Sequence, residues 1–104
     1  DSGSKSIAPR IESQLNFSVS AYPNPFNLIA NISFTLPKAV SYKLKIYNVA
    51  GRLVKSYEGL GQAGSNTVIW DGKDKAGNDV ASGVYFYKLT AGQFSATEKL
   101  VLLK

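Results

Sequence analysis

A chain of 104 residues, 44% of them hydrophobic, has material for one core and one domain. It contains no Cys and no His, which removes disulfide staples, thiolate chemistry, the commonest general base and the commonest neutral metal ligand. The net charge of +5 comes from 12 Lys and Arg placed singly, with no run that could follow a phosphate backbone, so it favours solubility over nucleic-acid binding.

Residues 1–14 hold Ser, Lys, Pro and Arg around isolated Ile7 and Ile11 and are read as a linker, with the folded domain over 15–104. The opening Asp1-Ser2-Gly3-Ser4 is expected to be an internal point of a longer precursor, with any export signal upstream. Leu15, Phe17 and Val19 alternate with Asn16, Ser18 and Ser20, the period of a half-buried strand. The stretch Tyr22-Pro23-Asn24-Pro25-Phe26-Asn27 should end it, because two prolines fix backbone angles and remove two amide donors.

A second strand is predicted over 30–36, with Ile32, Phe34 and Leu36 on one face and Pro37 as its stop. In the next, Tyr42, Leu44 and Ile46 face inward and Lys43 and Lys45 outward. A turn at 48–52 with Gly51 makes 41–57 a hairpin. The Gly-rich stretch 59–64 leads to a strand in which Val68 and Trp70 share a face. Residues 71–83 form a long turn-rich connection. Tyr85, Tyr87 and Leu89 then lie opposite Val84, Phe86 and Lys88, with the Tyr side buried.

After a turn at Gly92, residues 94–104 make the last strand, and its run Leu100-Val101-Leu102-Leu103 suggests cover on both faces. Four apolar residues are far short of the roughly 20 that cross a bilayer, so the chain shows no transmembrane segment. Fully burying two of these Leu side chains stabilises by about 3–6 kcal/mol, a large share of the roughly 5–15 kcal/mol of a whole domain. About seven strands punctuated by Gly, Pro and Asn predict an all-β, immunoglobulin-like antiparallel β-sandwich.

Catalytic sites find little support. The carboxylates Asp71, Asp74, Asp79, Glu58 and Glu98 lack a cleft-forming segment to face across, and without His or Cys the serines have no identifiable base, so the chain is read as no enzyme. Asp71, Asp74, Asn78 and Asp79 do not have calcium-loop spacing and are expected to bond their own turns. Neither metal nor cofactor is expected. Phe17, Phe34, Trp70, Tyr85 and Tyr87 fall at inward phases, which leaves Tyr47, Tyr57 and Phe86 as too few outward rings for a carbohydrate platform. The sequons at Asn16 and Asn31 lie in predicted strands.

The stretches at 22–27, 32–37, 44–54 and 70–89 and the ending Lys99 to Lys104, in this order and spacing, resemble the type A C-terminal sorting domain of the type IX secretion system. That family is similar to the immunoglobulin-like domain of the flagellar hook-cap protein. The resemblance covers about 22–104 and departs from the family pattern at Leu28-Ile29-Ala30, where Pro and small polar residues are usual.

It implies a non-catalytic domain that follows an upstream cargo domain in a secreted enzyme or adhesin of Bacteroidetes-like bacteria, bound for the cell surface or medium by way of the periplasm. Its partners would be a shuttle protein, the outer-membrane translocon and, where the domain is removed within 1–14, a sortase-like protease. Receptor recognition would map onto Gly83, Tyr85, Tyr87 and Lys88 and onto Lys99, Leu100, Val101, Leu102, Leu103 and Lys104. A terminal strand at a sheet edge could offer its backbone to a partner, with Lys99 and Lys104 limiting wrong pairing. The other readings are a structural or accessory immunoglobulin-like module and a carbohydrate-binding module.

Overall fold

The alternating segments form strands. The computed structural model describes residues 17–104, so the 1–14 linker, Leu15 and the Asn16 sequon lie outside the described residues. Seven strands follow one another: β1 (Ser18–Tyr22), β2 (Ala30–Leu36), β3 (Val40–Asn48), β4 (Leu53–Gly61), β5 (Gly64–Trp70), β6 (Gly83–Ala91) and β7 (Phe94–Leu102). They make a three-stranded sheet in the order β1-β2-β5 and a four-stranded sheet in the order β4-β3-β6-β7. Every strand pairing is antiparallel. This is the predicted all-β sandwich of immunoglobulin-like type.

The core lies between the sheets. Ile32, Phe34 and Leu36 of β2 and Val68 and Trp70 of β5 meet Leu44 and Ile46 of β3 and Tyr87 and Leu89 of β6. These are the inward phases that period two assigns. At the β3–β4 turn the Asn48 side-chain oxygen accepts from the Ala50 and Arg52 amides, both at 3.0 Å. Gly51 supplies the positive φ of 81° that the turn requires.

Phe17 keeps its inward phase: half-buried, it packs against the core and stacks on Phe94 at the rim, with ring centroids 4.7 Å apart. Three local expectations need correction. Tyr57 turns inward: it pairs with Leu44 and packs against the core. Unbroken alternation from the buried Val54 would send Tyr57 outward, but the register shifts between Ile46 and Tyr47, leaving Val54 as the extra residue of a bulge.

The Gly-rich connection is also shorter than expected. β4 runs on to Gly61, and Gln62 and Ala63 alone link it to β5 in the other sheet. Asn66 braces that crossing by accepting from the Gln62 amide and donating to the Gln62 and Gly64 carbonyls. At the chain's last residues cover is one-sided: Leu100 and Leu102 are fully buried, Val101 is half-buried and Leu103 is 54% exposed.

Candidate functional site

β7 is an edge strand, with β6 on one side. An edge normally presents unpaired amides and carbonyls. Here the loop between β1 and β2 occupies the second half of that edge. The Asn24 side-chain nitrogen donates to the Lys99 carbonyl at 3.0 Å, and the Val101 amide donates to the Asn24 side-chain oxygen at 3.0 Å. The Phe26 amide donates to the Val101 carbonyl at 2.8 Å, and the Leu103 amide to the Phe26 carbonyl at 2.8 Å. The Asn27 side-chain nitrogen closes the series on the Leu103 carbonyl at 3.1 Å.

The loop's composition explains why side chains do this work. Pro23 and Pro25 have no amide to offer, so Asn24 between them supplies both a donor and an acceptor. Phe26 anchors the loop. Its ring is buried against Trp70, centroids 5.4 Å apart, and Trp70 meets Tyr85 edge-on at 5.3 Å. Both polar tips are satisfied: the Trp70 indole nitrogen donates to the Lys73 carbonyl at 2.9 Å, and the Tyr85 hydroxyl to the Ala81 carbonyl at 2.6 Å. The second bond is a tyrosine corner, a Tyr near the start of a core strand tied back to the chain just before it. Burial raises the Tyr85 hydroxyl above the usual tyrosine range.

Residues 71–79 fold as a turn, as their Asp and Asn content implies. Asp71 accepts from the Lys73 amide, and Asp74 accepts from the amides of Ala76 and Asn78. Asp79 pairs with Lys73 at 2.8 Å and stands 4.0 Å from Lys104. The hydrogen bond from Lys73, then the charges of Lys104 and Lys73, hold the Asp79 carboxyl below the ordinary carboxylate range. Among the described residues no three His, Cys, Asp or Glu side chains converge as a metal site requires, and no helix is long and apolar enough to cross a membrane.

The residues assigned to receptor recognition separate into two groups. Tyr85, Tyr87, Leu100 and Leu102 are sealed in the core, as their inward phase predicts, so a receptor could touch these side chains only after unfolding. Gly83 and Val101 are half-covered, while Lys88, Lys99, Leu103 and Lys104 are exposed. Lys99 and Leu103 stand beside the Asn24–Asn27 loop, whereas Lys88 points from the middle of the sheet, opposite Lys45. The backbone edge expected to be open at 99–103 is occupied by the loop.

Asn24, Phe26 and Asn27, read from the sequence as a strand stop, are the residues that hold this site. One signal of it was present: an aromatic ring among turn formers, flanked by asparagines that can replace the amides prolines lack.

Residues 27–94 match the FlgD Ig-like domain family. No curated protein matches the chain. Its fold is similar to part of dimeric latent PorU from Porphyromonas gingivalis, with a TM-score of 0.71 and 21% identity, over 84% of this chain and 9% of that one. It is also similar to part of PorZ, an essential bacterial surface component of the type-IX secretion system of the same organism, with a TM-score of 0.62 and 24% identity, over 84% of this chain and 12% of that one.

These two likenesses are of fold alone, and the chain spans a small fraction of either protein. FlgD from P. aeruginosa aligns with a TM-score of 0.57 and 26% identity over 72% of this chain and 64% of its own. By sequence over most of its strands and by the two-sheet architecture, the chain belongs to the FlgD Ig-like domain family.

Proposed function

We propose that this is a non-catalytic sorting and anchoring domain that directs an attached protein through the type IX secretion system to the cell surface or medium. The observation that carries the reading is the clamp: residues 99–103 are fixed by Asn24, Phe26 and Asn27, yet Lys99, Leu103 and Lys104 keep their side chains outside. An address on a folded passenger must itself survive folding. A buried, hydrogen-bonded strand with exposed flanking lysines meets that requirement. Because the clamp takes up the backbone edge, a shuttle protein or translocon would read side chains here and would not add a strand.

A fusion test separates the elements of this reading. A periplasmic reporter joined to residues 1–104 is expected to leave cells that have the secretion system. Lys99→Glu combined with Lys104→Glu should abolish export while the domain stays folded, the thermal midpoint falling only slightly because the Lys104–Asp79 contact that is lost is solvent-exposed. Export that persists in this variant removes the two lysines from recognition, and a wild-type fusion retained in the periplasm removes the sorting reading itself.

The match to the FlgD Ig-like domain family over 27–94 supports a second reading, a structural or accessory module. Under it the fused reporter stays where its own signal leaves it.

A further inference from the structure

The outer face of the four-stranded sheet carries a charge arrangement that stability alone disfavours. Lys45 of β3 and Lys88 of β6 stand directly opposite each other, and like charges in cross-strand register destabilise a sheet. Lys43 lies two residues before Lys45 on the same face, and Lys99 of β7 is opposite Phe86. The ion pairs among the described residues involve Lys73, Lys104 and Asp79, none of them on this face. Glu58, opposite Lys43 at the outermost strand, is its acidic residue. Edge protection does not explain Lys45 and Lys88, because β3 and β6 are the two inner strands.

Beside the lysines runs an apolar row. Leu53, Tyr47 and Phe86 are in register across three strands, and Val84 faces Val101 in the next row. Leu53 is 41% and Phe86 37% exposed. Lys43, Lys45, Tyr47, Lys88 and Thr90 line a depression of about 240 Å³ that offers ammonium and hydroxyl groups to an anion. An apolar centre with aromatic anchors and a charged margin is how protein interfaces are built. A polyanion would satisfy the lysines and leave Leu53, Val84 and Val101 wet.

We propose that this face docks an acidic protein partner, whose carboxylates engage Lys45 and Lys88 while its apolar side chains cover Leu53, Tyr47 and Phe86. The inference holds whether the domain sorts cargo or serves as an accessory module.

The test titrates the isotopically labelled 104-residue chain with a short peptide alternating Glu with Leu and Phe. Amide shifts are expected at Lys45, Tyr47, Phe86 and Lys88. Lys88→Glu and, separately, Phe86→Ser should each weaken binding by at least about tenfold. Lys88→Glu should also raise the thermal midpoint, since it replaces a repulsive cross-strand pair with an attractive one. Reversing both Lys45 and Lys88 to Glu should transfer the preference to the same peptide carrying Lys for Glu. The proposal is overturned if the outer face shows no shifts, if Phe86→Ser binds like wild type, or if polyglutamate, dextran sulfate or single-stranded DNA binds as tightly as the mixed peptide.

Discussion

The two halves of β7 share one neighbour, β6, and differ on their other side. From Lys99 on, the outward backbone groups are taken by Asn24, Phe26 and Asn27, and Leu100 and Leu102 are fully buried. From Phe94 to Glu98, no strand or loop among the described residues pairs on that side. Glu98, although in phase with Leu100, is exposed. One strand is therefore core at one end and rim at the other. Hydrophobic pattern alone does not make the difference; the β1–β2 loop, residues 23–29, which stands in for a missing neighbour strand, does.

The largest effect is expected where that loop is anchored. Phe26→Ala leaves a cavity beside Trp70 and Leu102 and loosens the clamp, at a cost of about 3–5 kcal/mol in denaturant unfolding. Phe94→Ala at the rim loses one stacked partner, Phe17, and should cost about 1–2 kcal/mol. Equal losses would mean that the two halves are equally held, and the contrast between them would be gone.

Asn24→Ala tests the hydrogen bonds apart from the ring. It leaves the Val101 amide and the Lys99 carbonyl to water, since both bonds are exposed, for about 0.5–1.5 kcal/mol. Hydrogen exchange gives the sharper readout. Val101 and Leu103 amides should lose protection in the variant, while those of Ser95 and Thr97, on the uncovered side, should exchange fast in both proteins. Protection at Ser95 and Thr97 matching that at Val101 would show a cover over the first half that the structure does not contain.

Most of the strands could be located from alternation, because β2, β3, β6 and the inner face of β7 keep strict period two through their buried positions. Three features escaped for physical reasons. The bulge at Val54 breaks the period, so every phase after it on β4 reverses and Tyr57 comes inward. The clamp joins residues more than 70 positions apart, as in the Asn24 to Lys99 bond, and local pattern carries no information about such a contact. Of the candidate recognition residues, 99–104 form a contiguous run, but a strand sends neighbours to opposite faces. Leu100 and Leu102 therefore had to be core if Lys99 and Val101 were to reach the surface.

Tyr87 sits at the boundary between the halves, and its titration has the smallest effect near neutral pH, where the hydroxyl is protonated in both states. Its ring is 2% exposed, and its register partner is Glu98 on the rim. Burial first and the Glu98 charge second push its hydroxyl up from 10.0 to about 12. The folded state therefore holds this proton more tightly than the unfolded chain. Its contribution to stability is complete below pH 10.0, declines as pH rises through the folded value of about 12, and is level beyond that.

Tyr87→Phe should flatten this alkaline loss, apart from what the similarly raised Tyr57 and Tyr85 contribute. Glu98→Gln should shift the tyrosinate absorption midpoint downward by only part of the total, because burial is the larger cause. If Glu98→Gln restored an ordinary tyrosine midpoint, the charge at the rim would outweigh the core around the ring, and the boundary between the two halves would lie on the other side of Tyr87.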